Sequence, residues 1–302
     1  MQTPPADKAP QAQSPLSRLA WQAQRERHRA TVCSWTTARV DRAAVAEWHP
    51  VYDFLFDYYS YRPSHLLRWS PGFGVALEDC APSELDWPDD FIATESGAVI
   101  PAASFPAHRV DFLRWALRYL SGIAERAPSF CCFGLHEWAM LYKTEQPRHT
   151  KVPLRLTAEE IGAVVERSDL RCTHYDAFRF FTGPAAPLNR TQLSRESTSA
   201  YDQRGCIHVT MDLYKFATKI SPWCPSELVA DAFLLAADAR EIDMRASPYD
   251  LTAYGFQPIK IESPEGREQY VSHQRRLAEA SVPIRSRLLE VYHGLTSILT
   301  AT

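Results

Sequence analysis

Residues 206–245 read CIHVTMDLYKFATKISPWCPSELVADAFLLAADAREIDMR and contain two helical patterns separated by a proline-rich turn. In the second pattern, Phe233 and Ala237 are four residues apart, which places both apolar side chains on one face of a helix. Pro222 ends the first pattern, because proline lacks an N–H donor and restricts the residue before it. The stretch therefore predicts helices over 206–219 and 226–245.

Helical periodicity continues on both sides of this stretch. Further helices are predicted over 15–45, 53–69 with a break at Pro63, 107–126, 133–143, 157–167 with a capping box at Thr157, and 265–298 with an interruption at Pro283. Residues 170–181 fit a strand or a helix equally well. Residues 75–107 are rich in proline and acids, and they predict loops with two short strands. We expect a mainly α protein with fewer than about a fifth of its residues in strands.

The predicted organisation is a disordered tail over 1–14, rich in Pro, Ala and Gln, followed by a single helical catalytic domain over 15–302 with an irregular insert near 75–107. The net charge of −3 and the pI near 6.4 count against a dedicated duplex-binding domain, which normally carries a basic excess. Seven cysteines without CxxC spacing indicate reduced thiols. No apolar run approaches a membrane span, so we expect a cytoplasmic protein without membrane contact.

Three histidines in the central stretch each lie close to an acid in the sequence. A carboxylate beside an imidazole fixes its tautomer and raises its basicity, as general acid–base catalysis requires. Three such pairs within about 80 residues predict one shared polar pocket, with the three histidine side chains within about 10 Å of each other. The predicted catalytic residues are His136 with Glu137, His174 with Asp176, and His208 with Asp212.

The same residues could bind a metal ion. His208 and Asp212 are four residues apart, so on a helix they project from one face. The H-x-D spacing at His174, with a distant histidine, also occurs in the two-histidine, one-carboxylate site of non-haem iron oxygenases, although those folds are usually β-rich. The predicted ligands of iron or another divalent metal are His136, His174, His208 and Asp212.

Aromatic and basic residues near these pairs are candidates for substrate binding by stacking and anion recognition. Arg245 could bind an anionic group, with Asp243 or Asp250 as a base. The alternative, which we favour, is that an Arg–carboxylate bridge ties down the helix end there. The predicted substrate-binding residues are Tyr58, Arg62, Trp138, Tyr175, Tyr214 and Arg245.

Several motifs of known chemistry are absent from the sequence, namely the G-x-S-x-G elbow, the Walker A loop and the dinucleotide-binding glycine fingerprint. Their absence argues against nucleotide hydrolases and nicotinamide dehydrogenases.

Ser70-Pro-Gly-Phe-Gly74 resembles the Pro-Gly-hydrophobic-Gly hairpin with which helix-hairpin-helix DNA glycosylases bind a phosphate through backbone N–H groups. In those enzymes a catalytic Asp follows some two dozen residues later; here Asp90 and Glu95 stand nearest that position.

Five blocks of the sequence resemble a bacterial family labelled 3-methyladenine DNA glycosylase. The resemblance implies hydrolysis of an N-glycosidic bond, a flipped-base pocket with aromatic stacking, and an acid that positions water. It assigns no catalytic residue. The blocks are HPVYDFLFDYYSYRPSHLLRWSPG (49–72), CFGLHEWAMLYK (132–143), CTHYDAFRFFTGPAAPLN (172–189), HVTMDLYKFATKISPWCPSEL (208–228) and REIDMRASPYDL (240–251).

Two enzyme hypotheses follow. In the first, suggested by the resemblance, the protein is a cofactor-free hydrolase that releases a damaged purine from DNA or from a purine-like small molecule. In the second, suggested by the His/acid pairs, it is a helical metal-dependent oxidoreductase that acts on a small molecule with non-haem iron. A non-catalytic binding module would leave the clustered histidines unexplained.

Overall fold

The computed structural model describes residues 14–144 and 151–300, and α-helices dominate it, as the sequence predicts. The predicted tail falls outside the described residues except for Ser14. The helices are α1 (Arg18–Ala44), α2 (Phe54–Tyr58), α3 (Pro63–Leu67), α4 (Val110–Glu125), α5 (Leu135–Ala139), α6 (Ala158–Arg167), α7 (Tyr175–Phe178), α8 (Thr198–Tyr201), α9 (Ile207–Lys219), α10 (Ser226–Arg245) and α11 (Pro264–Thr300).

The predicted insert near 75–107 is confirmed as an irregular segment with a small antiparallel sheet. Its strands are β1 (Leu77–Glu78), β2 (Ile92–Thr94) and β3 (Gly97–Val99), in the order β1-β3-β2. Ala98 at the centre of β3 is opposite Leu77 on one side and Ala93 on the other. Three short strands replace the two expected, and the described residues remain far below a fifth in strands.

Two proline predictions have different outcomes. Pro63 separates α2 from α3 and begins α3, where its missing N–H removes no helical hydrogen bond. Pro283, by contrast, lies inside α11, which continues to Thr300, so the predicted interruption is wrong. Leu277 and Leu288 are buried on either side of this proline, and their packing outweighs the loss of one backbone hydrogen bond.

One continuous apolar core includes side chains from all the helices except α7 and α8. The predicted capping box is confirmed, because the Thr157 side chain accepts a hydrogen bond from the Glu160 N–H and the Glu160 carboxylate accepts one from the Thr157 N–H. Over the described ranges, the helices are too short or too polar to cross a lipid bilayer.

Helices α9 and α10 are consecutive and pack against each other across the centre of the core. The short connection 220–225 reverses the chain, so the beginning of α9 lies near the C-terminal part of α10. His208 is in the first turn of α9 and Asp243 is in the last turn of α10. This arrangement brings together two polar residues that are 35 positions apart in the sequence.

Candidate metal centre

Three helices each contribute one side chain to a compact group of possible metal ligands. His136 comes from α5, His208 from α9 and Asp243 from α10, and one ligand atom of each lies within 4.8 Å of the other two. His136 and Asp243 are buried, and His208 is partly accessible. Two imidazoles and one carboxylate form the ligand set of many mononuclear iron and zinc sites.

The short helix α5 is placed by a left-handed turn immediately before it. Phe133 and Gly134 both have positive φ, of 48° and 68°. A side chain at Gly134 would crowd Tyr270, since its Cβ would lie 3.3 Å from that ring. The turn starts the helix later than the predicted residue 133 and directs His136 inward.

His136 and Asp243 lie close enough to share one ion. His136 Nε2 and Asp243 Oδ1 are 3.1 Å apart, and among residues 14–144 and 151–300 neither atom has an aligned hydrogen-bond partner. Two neighbouring ligands of an octahedral ion with bonds of about 2.1 Å are separated by about 3.0 Å. The observed separation therefore leaves both atoms able to bind one metal ion.

Arg240 fixes the carboxylate and sets the local charge. Its Nη1 atom donates to Asp243 Oδ2 at 2.9 Å and to Glu137 Oε1 at 3.1 Å. All three side chains are buried, and the guanidinium lies 3.7 Å from the centre of the Phe54 ring. Two carboxylates beside one guanidinium leave a net charge of −1 next to the histidines, which favours a cation.

The histidines differ in protonation. Burial, His136 and His174 hold the pKa of His208 well below its ordinary value, so its ring is neutral with a free lone pair. Burial disfavours a charged His136, but the Asp243 carboxylate outweighs burial and raises the pKa of His136. Burial acts against the Asp243 carboxylate as well, yet His136 and Arg240 hold the pKa of Asp243 well below its ordinary value. A proton on His136 thus occupies the position that a metal ion would take.

His174, the third predicted histidine, packs against the ligand group without being one of its members. The His174 ring stacks on the His208 ring at 5.2 Å, and the His136 ring lies edge-on to His208 at 4.4 Å. His174 Nδ1 is 3.0 Å from the buried Asp202 carboxylate, which also accepts a hydrogen bond from the Tyr119 hydroxyl. The predicted convergence of the three histidines within about 10 Å is therefore confirmed.

We expect Asp202→Asn to destabilise the protein more at low pH than at high pH. Burial acts against a charged His174, but Asp202 raises the pKa of His174 above its ordinary value. The pair therefore stabilises the fold fully below about pH 6.5, and its contribution declines as pH rises through the raised pKa. The loss in unfolding free energy should be larger at about pH 5.5 than at about pH 8.5, by about 1 kcal/mol.

Urea unfolding at the two pH values measures this difference. Asp238→Asn is the matched control, because Asp238 forms an exposed pair with Arg276 at 2.6 Å. Its effect should be small at both pH values. An equal loss for Asp202→Asn at both would show that His174 is neutral throughout this range.

A narrow pocket opens in front of His136 and His208. Its walls include the thiols Cys132, Cys172 and Cys206, which are free cysteines. Burial raises the pKa of all three thiols, to about 12 for Cys172, so they are protonated at neutral pH. The enclosed space of about 10 Å³ accommodates one water molecule or a ligand of similar size.

The predicted ligand set needs correction. His174 and Asp212 do not belong to the ligand group; Asp243 completes it instead. Asp212 lies four residues after His208 on α9, but its carboxylate accepts a hydrogen bond from Tyr59 at 2.8 Å and pairs with Lys215. The i,i+4 spacing is compatible with contact, but two other partners hold the Asp212 carboxylate.

The other two predicted pairs also have different partners. Asp176 forms a salt bridge with Arg179 at 3.1 Å, and His174 interacts with Asp202 rather than with Asp176. His174 precedes α7 and Asp176 lies within it, so the two do not share a strand face. Glu137 points to Arg240, since consecutive residues of a helix face different directions.

Two of the predicted substrate-binding residues make polar contacts within the protein. Trp138 is fully buried and donates its indole N–H to the Ala246 carbonyl at 2.9 Å. Arg245 pairs with Glu241 at 3.0 Å and donates to the Gln257 carbonyl. The favoured alternative, a helix end tied down by an Arg–carboxylate bridge, is therefore confirmed for Arg245.

The remaining four substrate-binding predictions lie at different places. Tyr58 is half-buried and stacks on Phe54, the ring that covers Arg240. Tyr175 is half-buried beside His174, at the start of α7. Arg62 is exposed before α3, and the buried Tyr214 lines a separate cavity.

The phosphate-binding hairpin that Ser70–Gly74 resembles in sequence is not formed. The Phe73 N–H donates to the Trp223 carbonyl at 3.1 Å, and the Gly74 N–H donates to the Ile100 carbonyl at 2.8 Å. Because both groups are already bonded inside the protein, they are not free to bind a phosphate. The segment leads into β1 rather than into a second helix, which leaves Asp90 and Glu95 without the expected context.

Three residues of the site escaped the sequence prediction or were assigned another role. The sequence suggests Asp243 only as a base next to Arg245. No pattern in the sequence indicates that Arg240 or Asp202 belongs to a site. The available signal was the i,i+3 spacing of Arg240 and Asp243 on α10, since an arginine and a carboxylate at that spacing on a helix can pair with each other.

Comparison of the chain with protein-family models, with curated proteins and with solved structures finds no match.

Proposed function

We propose that the protein is an enzyme with a mononuclear divalent-metal centre, in which His136, His208 and Asp243 are the ligands. The observation that carries this proposal is the convergence of three ligand atoms within 4.8 Å from three separate helices. Isolated polar groups of this kind are costly to bury without a partner. A bound cation would satisfy His136 Nε2 and Asp243 Oδ1 together.

Iron(II) suits this ligand set best, and an oxidoreductase acting on a small molecule is the proposed class. Two histidines and one carboxylate leave several coordination positions open, where the metal would activate dioxygen or water. The pocket beside His136 and His208 has room for a ligand of about that size. His174 would orient His208 by stacking, and Arg240 would orient Asp243 by hydrogen bonding.

A second candidate is the cofactor-free N-glycosidic hydrolase that the family resemblance implies. It is favoured by the His136–Asp243 pair, because a histidine with a raised pKa beside a carboxylate is suited to proton transfer near neutral pH. Such an enzyme would act on a damaged purine in DNA or in a small molecule, and it would need no metal.

Calorimetric titration of the metal-free protein separates the two candidates. We expect one equivalent of Fe²⁺, added under anaerobic conditions, to bind, and His208→Ala to weaken binding by about 10²-fold because one of three ligands is lost. His293→Ala is the matched control, since His293 is exposed on α11. Full purine release by a protein that binds no metal would favour the hydrolase instead.

A further inference from the structure

A second and larger cavity lies between α3 and the adjoining ends of α9 and α10. Its volume is about 360 Å³, within the range of small-molecule pockets. Apolar and aromatic side chains form much of its wall, among them Tyr61, Leu66, Trp87 and Val229. The cavity is therefore large enough for an organic molecule with an aromatic ring.

The charged groups of this cavity are all basic. Arg68, Arg109 and Lys219 line it, and the described lining residues include no Asp or Glu. In the described part of the chain none of these three cations forms a salt bridge with a carboxylate. Arg68 lies 4.7 Å from the Trp87 ring centre, and Arg109 donates to the Lys219 carbonyl.

The proximity of like charges is visible at Lys219. Burial, Lys215 and Arg109 together lower the pKa of Lys219, which shows that its ammonium group is disfavoured where it stands. Asp212, the acid that acts on Lys219, already pairs with Lys215 and accepts a hydrogen bond from Tyr59 at 2.8 Å. An anion in the cavity would relieve this repulsion.

His28 adds a buried hydrogen-bond acceptor to the cavity wall. Its Nε2 atom lies 2.8 Å from the Leu66 carbonyl and donates to it, so Nδ1 carries the lone pair. The side chain is only 3% exposed, and Nδ1 has no partner in the described structure. The buried, neutral ring therefore adds no negative charge to the cavity wall.

The cavity is distinct from the metal centre. His136, His208 and Asp243 do not line it. His208 and Lys219 lie eleven residues apart on α9, which is about 16 Å along a helix. A ligand in the cavity would therefore not touch the proposed metal ion.

We propose that this cavity is a binding site for a small aromatic oxyanion, a phosphate monoester or a carboxylate, held by Arg68, Arg109 and Lys219. Its ring would pack against Tyr61 and Trp87. The proposal does not depend on the metal centre, so the anion should bind equally well with and without added Fe²⁺.

Calorimetry with two anionic probes and one neutral analogue tests the proposal and identifies the acid group. We expect phenyl phosphate or benzoate to bind with a Kd below about 1 mM, and neutral benzamide to bind at least about tenfold more weakly. The tighter probe shows which oxyanion the site prefers. Lys219→Met and Arg68→Met should each weaken that probe by about tenfold or more.

Lys260→Met is the control variant, because it removes the same charge from an exposed position outside the cavity. It should leave the Kd within about twofold, as non-specific attraction by net charge is screened by salt. Three results would overturn the proposal: neither probe binds at 10 mM (about ten times the expected Kd), benzamide binds equally well, or both cavity variants bind like the unchanged protein.

Discussion

Asp243→Asn is expected to abolish tight binding of a divalent metal. The carboxylate is the only anionic ligand of the group, and the amide that replaces it is neutral and a much poorer metal ligand. We expect the Kd for Fe²⁺ or Zn²⁺ to rise by about 10²-fold or more, the scale seen when part of a metal site is removed. Calorimetry of the metal-free proteins measures this change directly.

Asp231→Asn on the same helix is the matched control. Asp231 forms an exposed salt bridge with Arg287 at 2.7 Å. It lies in the first half of α10, whereas Asp243 lies in the last turn of that helix. This variant should bind metal as the unchanged protein does. Equal metal affinity in the Asp243 and Asp231 variants would exclude Asp243 as a ligand.

Arg240→Ala is expected to reduce the unfolding free energy by about 3–5 kcal/mol, because it leaves two buried carboxylates without their cation. Arg240 is 1% exposed and contacts both Glu137 and Asp243. The substitution should also weaken metal binding by about tenfold or more, since Asp243 loses the donor that orients it. Urea unfolding gives the first quantity and calorimetry gives the second.

Arg276→Ala provides the comparison for an exposed pair. Arg276 bonds to Asp238 at 2.6 Å with about half of its side chain accessible to solvent. Such pairs contribute at most about 1 kcal/mol. Arg240 would be dispensable for stability if its replacement cost no more than that of Arg276.

The helical fold was predictable because its signals are local. The spacing of Phe233 and Ala237 and the capping box at Thr157 each act within a few residues of the chain, and the corresponding helices α10 and α6 occur as predicted. The predicted interruption at Pro283 is wrong because α11 is stabilised by packing against other helices, and the local sequence carries no information about that packing.

The site was predictable only in part. Three His/acid pairs close together in the sequence predict that His136, His174 and His208 form one group, and the three histidines do lie together. Their acidic partners were assigned from neighbours in sequence, whereas the actual partners come from distant segments. Asp202 lies 28 residues from His174, and Asp243 lies 107 from His136. Such pairing depends on tertiary packing, which one sequence does not reveal.

Titration of the metal-free protein with Co²⁺ tests the central claim most directly, because this ion reports its ligands through visible absorption bands. We expect the bands to saturate at about one equivalent of Co²⁺, with an intensity typical of four- to six-coordinate nitrogen and oxygen ligands. Binding should be lost when His136, His208 and Asp243 are replaced together. Absence of stoichiometric binding, or an unchanged spectrum in the triple variant, would contradict the proposed metal centre.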